Sequence, residues 1–378
     1  MKKKSEILPN NICFITHQLE HLHNVSVSIS FKAGSLYESK YNNGISHLVE
    51  HLFFRQLSDL SQESLYFNMQ KIGGEITGKT YCDYVTFSIN VIPQYLYDAL
   101  DIMLKFFDDF EWSNSIILKE KEVVLRQIEN KAYSYNQWID SIYFDNTKYT
   151  LPIMGTKKTV KSLTAFEINS WKKEYFSPTN SCVTITGNFS NELYDFLKQK
   201  LSIINNFGKK QDPIIEIAPN FTKRNSDNYL TVINADSKLS EVVVLFDIKN
   251  SFDYESVKLI TSILSDGCGS KLSMIMREKY QLTDDIFTQL TSYCGFHRYS
   301  ISYTVKNKNI FNSIDILFKI INEIKTDITL NEYASTIPFF TDNQMIDLDN
   351  CQKLNEDYVL SDFILDILPS DPIEKAKK

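Results

Sequence analysis

Glycine and proline are scarce, at 11 and 9 of 378 residues, which excludes collagen-like repetition and leaves little room for long disordered tracts. The six cysteines stand singly with no Cys-x-x-Cys pair, and a chain this long needs no stapling, so they read as reduced packing residues rather than a disulfide framework. Basic surplus is also missing: 40 Lys plus Arg face 47 Asp plus Glu, a net charge of -7, so nothing is available to neutralise a phosphate backbone and nucleic acid is excluded as a partner. Apolar runs such as Val242–Phe246 are a handful of residues, far short of the roughly 20 that a membrane-spanning helix needs. Lys2-Lys3-Lys4 is followed by Ser5 to Asn11 where a secretory leader would carry a continuous apolar stretch, so the expected location is cytoplasmic.

What remains is the composition of a densely folding globular protein, 43% hydrophobic and 23% charged, long enough for two domains of roughly 150–200 residues. Val25, Val27, Ile29 and Phe31 alternate with Ser26, Ser28 and Ser30, and Val85 to Val91 repeats the pattern; both segments are expected as strands with one wet face. Helical spacing is expected over Ile45–Phe54, Gln62–Ile72, Tyr95–Phe107 and Asn114–Asn130, and Thr164 with Glu167 has capping-box spacing. Gly208, Pro213 and Pro219 mark a linker within 205–228, dividing the chain into 1–214 and 215–378. Strands at 229–235, 242–248, 286–293 and 299–305, with helices at 254–264, up to Tyr280 and at 310–324, give the second half the same character. The fold class is α+β: two similar domains, each a mixed sheet layered with helices, suggestive of duplication.

His47-Leu48-Val49-Glu50-His51 is the most informative pentapeptide. On a helix, His47 and His51 at i and i+4 share one face and can reach a single Zn²⁺, while Glu50 is placed to serve a water at the metal as general base without ligating. The residues alone leave a second reading open, two surface histidines beside a solvated glutamate. His17, His21 and His23 fit no single ligand face and read as structural histidines near a hairpin preceding Val25.

With Gly44 before it and Phe54 after it, the pentapeptide resembles the G-x-x-H-x-x-E-H-x-x-F signature of the pitrilysin/insulinase family of zinc peptidases, the inverzincins. Gly73-Gly74 with Thr77 and Thr80, the run Tyr149–Gly155, and Phe176–Asn180 through Gly187-Asn188-Phe189 resemble further family segments, so the likeness spans most of residues 25–190 and, more weakly, 229–330. The resemblance implies half of a clamshell, working as a homo- or heterodimer of the mitochondrial-processing-peptidase type on peptide substrates. It implies zinc held by His47, His51 and a third ligand 76 positions on (127 − 51), where the family has Glu and this chain has Gln127. Glu120 matches the family's supporting acid. Gly74, Thr77 and Gly78 match the edge along which substrate lies, and Arg277 matches one half of a substrate-holding Arg/Tyr pair whose other position is Asp284.

These matches imply a zinc-dependent endopeptidase subunit with Glu50 as the base; alternatively, Gln127 and Asp284 mark a catalytically impaired partner subunit kept for peptide binding and chamber shape. An amide oxygen is a poorer zinc ligand than a carboxylate, so metal is expected to bind less tightly. The Gly-rich turn Asp266–Lys271 reads as a loop between helices rather than a nucleotide site. The C-terminal part past Asn331 matches faintly and reads as shortened, with a terminal helix at 371–378.

Overall fold

The computed structural model describes residues 3–130, 139–140, 143–144, 148–205, 207–209, 211, 237–248, 254–293, 296–326 and 328–365. They fall into two compact units, one drawn from Met1–Ile214 with Leu348–Leu368, the other from Ile215–Asp347 with Pro369–Lys378. The expected boundary at 215, the strand at 229–235, the terminal helix at 371–378 and most of the linker lie outside the described residues.

The first unit is built on β1 (Lys4–Ile7), β2 (Cys13–Gln18), β3 (Val25–Phe31), the two-residue β4 (Gln56–Leu57) and β5 (Leu60–Ser61), β6 (Glu75–Thr80), β7 (Val85–Val91) and β8 (Ser181–Gly187). Six of these form one sheet in the order β1-β2-β8-β3-β7-β6, parallel only between β2 and β8. Helices α1 (Ile45–Arg55), α2 (Gln62–Lys71), α3 (Leu96–Leu104) and α4 (Asn114–Asn130) follow, with further helices at Lys157–Ser162, Ala165–Tyr175 and Asn191–Ser202. The alternating apolar residues of β3 and β7 face these helices, and the packing is aromatic. Phe53 of α1 lies 5.2 Å from Phe87 and 5.1 Å from Trp112, both edge-on, the arrangement that ring quadrupoles favour. The Thr164–Glu167 capping box forms as its spacing predicts.

Two local expectations are overturned. The serine face of β3 is not wet: every residue from Val25 to Phe31 is buried, because the chain returns after the second unit and lays the helix Cys351–Tyr358 across it. Asn355 Nδ2 donates to Ser26 O and Ser28 Oγ, both at 3.1 Å. Leu348–Leu368 therefore joins the first unit, although the sequence reading grouped it with everything past 215. Nor does a hairpin join β2 to β3, since β8 is inserted between them.

In the second unit, β9 (Leu239–Ile248), β10 (Ile286–Tyr293) and β11 (Phe296–Lys306) form an antiparallel sheet in the order β10-β11-β9. Helices at Tyr254–Ser265, Ile310–Thr326 and Leu330–Asp347 accompany it, and its core gathers Leu272, Met276, Ile301, Tyr303, Leu317 and Ile320. The helix expected up to Tyr280 is wound as a π-helix over Ser273–Lys279. Both units are thus α+β, a sheet layered with helices.

Candidate active site

Helix α1 carries the pentapeptide, and its start is fixed from outside the helix. Gly44, the residue before Ile45, is left-handed (φ 93°) and offers no side-chain cap. Glu38 supplies one: its Oε2 accepts from Gly44 N at 2.7 Å and Asn43 Nδ2 at 2.9 Å, and its Oε1 accepts from Ser46 N at 2.9 Å. A carboxylate at a helix N-terminus satisfies the orphan N–H groups and opposes the helix dipole. Burial pushes the Glu38 carboxyl up, against the pull of these hydrogen bonds. A side chain at Gly44 would come within 2.7 Å of Met154 O, and one at Gly155 within 2.3 Å of Asn43 O. The stretch Tyr149–Gly155 thus meets the start of α1 backbone to backbone.

One turn apart on α1, the His47 and His51 rings lie with centroids 4.6 Å apart. His51 Nδ1 donates to Glu120 Oε1 of α4 at 2.9 Å, leaving Nε2 as the ring's lone-pair nitrogen. The other Glu120 oxygen accepts from Arg55 Nε, and Arg55 Nη1 donates to Gln62 Oε1 at 2.7 Å. Burial would raise the Glu120 carboxyl, but the hydrogen bonds from His51 and Arg55 hold it below the usual value. The residue is therefore an anion that orients an imidazole.

Gln127 is two helical turns past Glu120, on the same face of α4. Its Oε1 is buried and has no hydrogen-bond partner among the described residues. An orphaned amide oxygen of this kind costs about 1–3 kcal/mol, and a cation would satisfy it. Two imidazoles and one neutral oxygen are donor types that zinc accepts. Among the described residues no group of three or more His, Cys, Asp and Glu could hold a metal, and Gln127 is matched to the third ligand position by the family resemblance. Glu129 is turned to Lys157 at 3.1 Å and Glu122 is exposed, so neither acid stands in for it.

Glu50 is only 8% exposed. Its Oε2 accepts from Thr80 Oγ1 at 2.6 Å. Burial pushes its carboxyl up, while Thr80 and nearby His51 pull the other way. A Cβ at Gly78 would sit 2.7 Å from Glu50 Oε1 and 2.7 Å from Phe54 Cε2, so a side chain there would push against the carboxylate and the ring. A cleft of about 260 Å³ opens beside it, lined by Glu50, His51, Phe54, Tyr66 and Val123 among others.

β6 ends the sheet order, so one side of its main chain is unpaired within the sheet and can accept an extended strand. Of the residues matched to that edge, Gly74 is packed tight, a Cβ there meeting Val91 Cγ1 at 2.9 Å. Thr77 turns its hydroxyl to Ser88 O at 3.4 Å, on the face away from α1. Arg277 stands in the second unit on the π-helix, 3.1 Å from Glu278, and Asp284 is exposed. His17 meets Tyr358 OH at 2.6 Å and His21 meets Asp349 at 3.4 Å, so these histidines do not converge. Arg55 and Glu38 were missed from sequence, and Thr80 was named only as part of the substrate-edge segment, not as a partner of Glu50. Strand alternation offered one usable signal, since positions 78 and 80 of β6 share a face.

Comparison with known proteins gives the family. Residues 14–157 match the family described as Insulinase (Peptidase family M16), and residues 162–337 match Peptidase M16 inactive domain. The chain belongs to peptidase family M16. An uncharacterized zinc protease of Rickettsia felis is 23% identical over 330 residues, 85% of this chain and 76% of that protein. A second uncharacterized zinc protease, from Bacillus subtilis, is 25% identical over 190 residues, 48% of this chain and 46% of its own length. The probable mitochondrial-processing peptidase subunit beta of Arabidopsis thaliana is 21% identical over 257 residues, covering 67% of this chain and 48% of that one. The matched stretch thus spans less than half of the last two. In fold, a protease from Helicobacter pylori aligns over 100% of this chain and 96% of its own at TM-score 0.76 and 18% identity. The peptidase M16 inactive domain from Pseudomonas fluorescens aligns over 100% and 94% at TM-score 0.75 and 14% identity. No helix among the described residues is long and apolar enough to cross a membrane.

Proposed function

We propose that this M16 chain is a zinc-dependent endopeptidase subunit acting on small peptides as one half of a dimer, with His47, His51 and Gln127 holding the metal. Zinc, when bound, supplies Lewis-acid polarisation of the scissile carbonyl and eases deprotonation of water. The chain's own residues do the rest. β6 offers its free edge to an extended peptide, main chain to main chain. Glu50 takes the proton of the attacking water and returns it to the leaving amine, and Thr80 holds the far carboxylate oxygen so that the near one stays directed past Gly78. Glu120 and Arg55 keep His51 in the tautomer that presents Nε2.

The observation that carries this reading is the burial of Glu50 against Thr80, one residue from His51 and beneath an unpaired strand edge. A carboxylate raised by burial is suited to a base that must also act as an acid. The decisive experiment is cleavage of a peptide library by wild type and Glu50→Gln, with zinc content measured for both. Zinc-dependent cleavage lost in the variant, with zinc retained, is the expected result.

Gln127 and Asp284 favour a second reading, a partner subunit of a heterodimeric peptidase that binds peptide and does not cut. Protein that takes up no zinc at micromolar metal, and cleaves nothing with or without a companion chain, would establish that reading in place of the first.

A further inference from the structure

The face of the six-stranded sheet opposite α1 carries a thiol pair that plays no part in the chemistry above. Cys13 of β2 and Cys182 of β8 are direct partners in the parallel register, so both side chains project to the same face. Neighbouring strands lie about 4.8 Å apart, inside the Cα separation of about 4.4–6.8 Å that a disulfide tolerates without backbone movement. Both cysteines are free thiols, 4% and 0% exposed. Charge from Lys32 and Asp362 acts on both, Asp362 belonging to the returning segment Val359–Ile364. The other described cysteines lie in different settings: Cys82 beside Asp83, Cys351 beside Asn24, and Cys268 exposed.

We propose that Cys13 and Cys182 are a redox-active dithiol that closes to a disulfide between β2 and β8 when a peroxide reaches the sheet. Cys13 is the first nucleophile, being the more exposed of the two; the adjacent Cys182 also holds its thiol below the usual pKa, whereas burial keeps Cys182 well above it. The Cys13 thiolate attacks one peroxide oxygen, the O–O bond breaks, and water leaves with the thiol proton, giving a sulfenic acid. Cys182 sulfur then attacks Cys13 sulfur, the S–O bond breaks, and the departing hydroxide takes the Cys182 proton as a second water. Two electrons pass from the sulfurs to the peroxide, and a dithiol reductant reverses the change. The cross-link joins positions 169 residues apart (182 − 13), and so restricts the unfolded chain strongly.

The test uses the full chain as purified. Protein treated with a small excess of hydrogen peroxide is blocked with an alkylating reagent, digested without reductant and mapped by mass spectrometry. The expected product is a peptide pair joined through Cys13 and Cys182, released by dithiothreitol, with a melting temperature about 5 °C or more above that of the reduced protein. Cys13→Ser removes both the linked peptides and the thermal shift. Recovery of Cys13 and Cys182 as alkylatable thiols after Cys268 has been fully oxidised overturns the proposal, as does linkage of either cysteine to Cys82 or Cys351 instead. The wild-type map decides the matter even where the serine variant folds poorly.

Discussion

His51 Nδ1 and Glu120 Oε1 lie 2.9 Å apart, joining α1 to α4 across 69 residues of sequence. The carboxylate fixes the ring's tautomer and is itself pinned by Arg55, so the lone pair on Nε2 faces away from Glu120. Glu120→Ala leaves the ring free to rotate and exchange tautomers. Zinc affinity, read by chelator competition, is expected to fall about 10–100-fold, with Arg55→Ala losing less because His51 keeps its partner. Unchanged affinity in Glu120→Ala would show that the ring is oriented by something else.

Glu38 determines where α1 begins. Glu38→Ala strips Gly44 N, Ser46 N and Asn43 Nδ2 of their acceptor in a site that is 1% exposed, and should cost roughly 2–4 kcal/mol by urea denaturation. The pH dependence has a definite sign. Burial raises the folded-state carboxyl above its ordinary 4.5, so above 4.5 the folded protein binds more protons than the unfolded chain. The contribution is complete below 4.5 and declines as pH rises through the folded value. Urea midpoints measured across that interval should fall less steeply in Glu38→Gln than in wild type.

The sequence disclosed those elements whose periodicity is their own. β3 and β7 begin and end at Val25 and Phe31 and at Val85 and Val91, as alternation requires, and α4 begins at Asn114, as helical spacing requires. Hidden features depend on contacts that no single element carries. Alternating serines on β3 read as a wet face because nothing local announces that residues 351–358 will return to cover them. Glu38 is separated from the helix it caps by a loop, so no capping spacing reveals it. His47, Glu50 and His51 drew attention because one segment carries all three; Gln127 and Glu120 were picked out by the family resemblance, and the structure joins Glu120 to His51. Thr80 waited on knowing which face of β6 meets α1.

The cover over the serine face is held by polar contacts that are incompletely satisfied. Asn355 donates to Ser26 and Ser28, yet Asn355 Oδ1 and the hydroxyls of Ser26, Thr184 and Thr186 are buried with no partner among the described residues. Such a seam resists water entry weakly, so the helix Cys351–Tyr358 should open before the core does. Hydrogen exchange is expected to show its amides exchanging faster than those of α1, and Asn355→Ala to speed them about tenfold while α1 is unaffected. Exchange of both helices in step would mean that opening is global and the seam is not its cause.

The sharpest test of the metal site is the substitution that restores charge to it. Gln127 presents a neutral oxygen that is buried and orphaned, and Gln127→Glu replaces it with an anion of nearly the same shape. With a dication present, charge pairing in a partly buried site favours the variant, and zinc should bind about tenfold or more tightly. Without metal the same change buries an uncompensated carboxylate, so metal-free Gln127→Glu should melt below wild type and gain more from added zinc. That crossing of the two melting curves, lower without zinc and higher with it, is specific to a ligand. If residue 127 serves only packing, the variant is destabilised equally with and without metal, and peptide cleavage does not rise with its zinc occupancy.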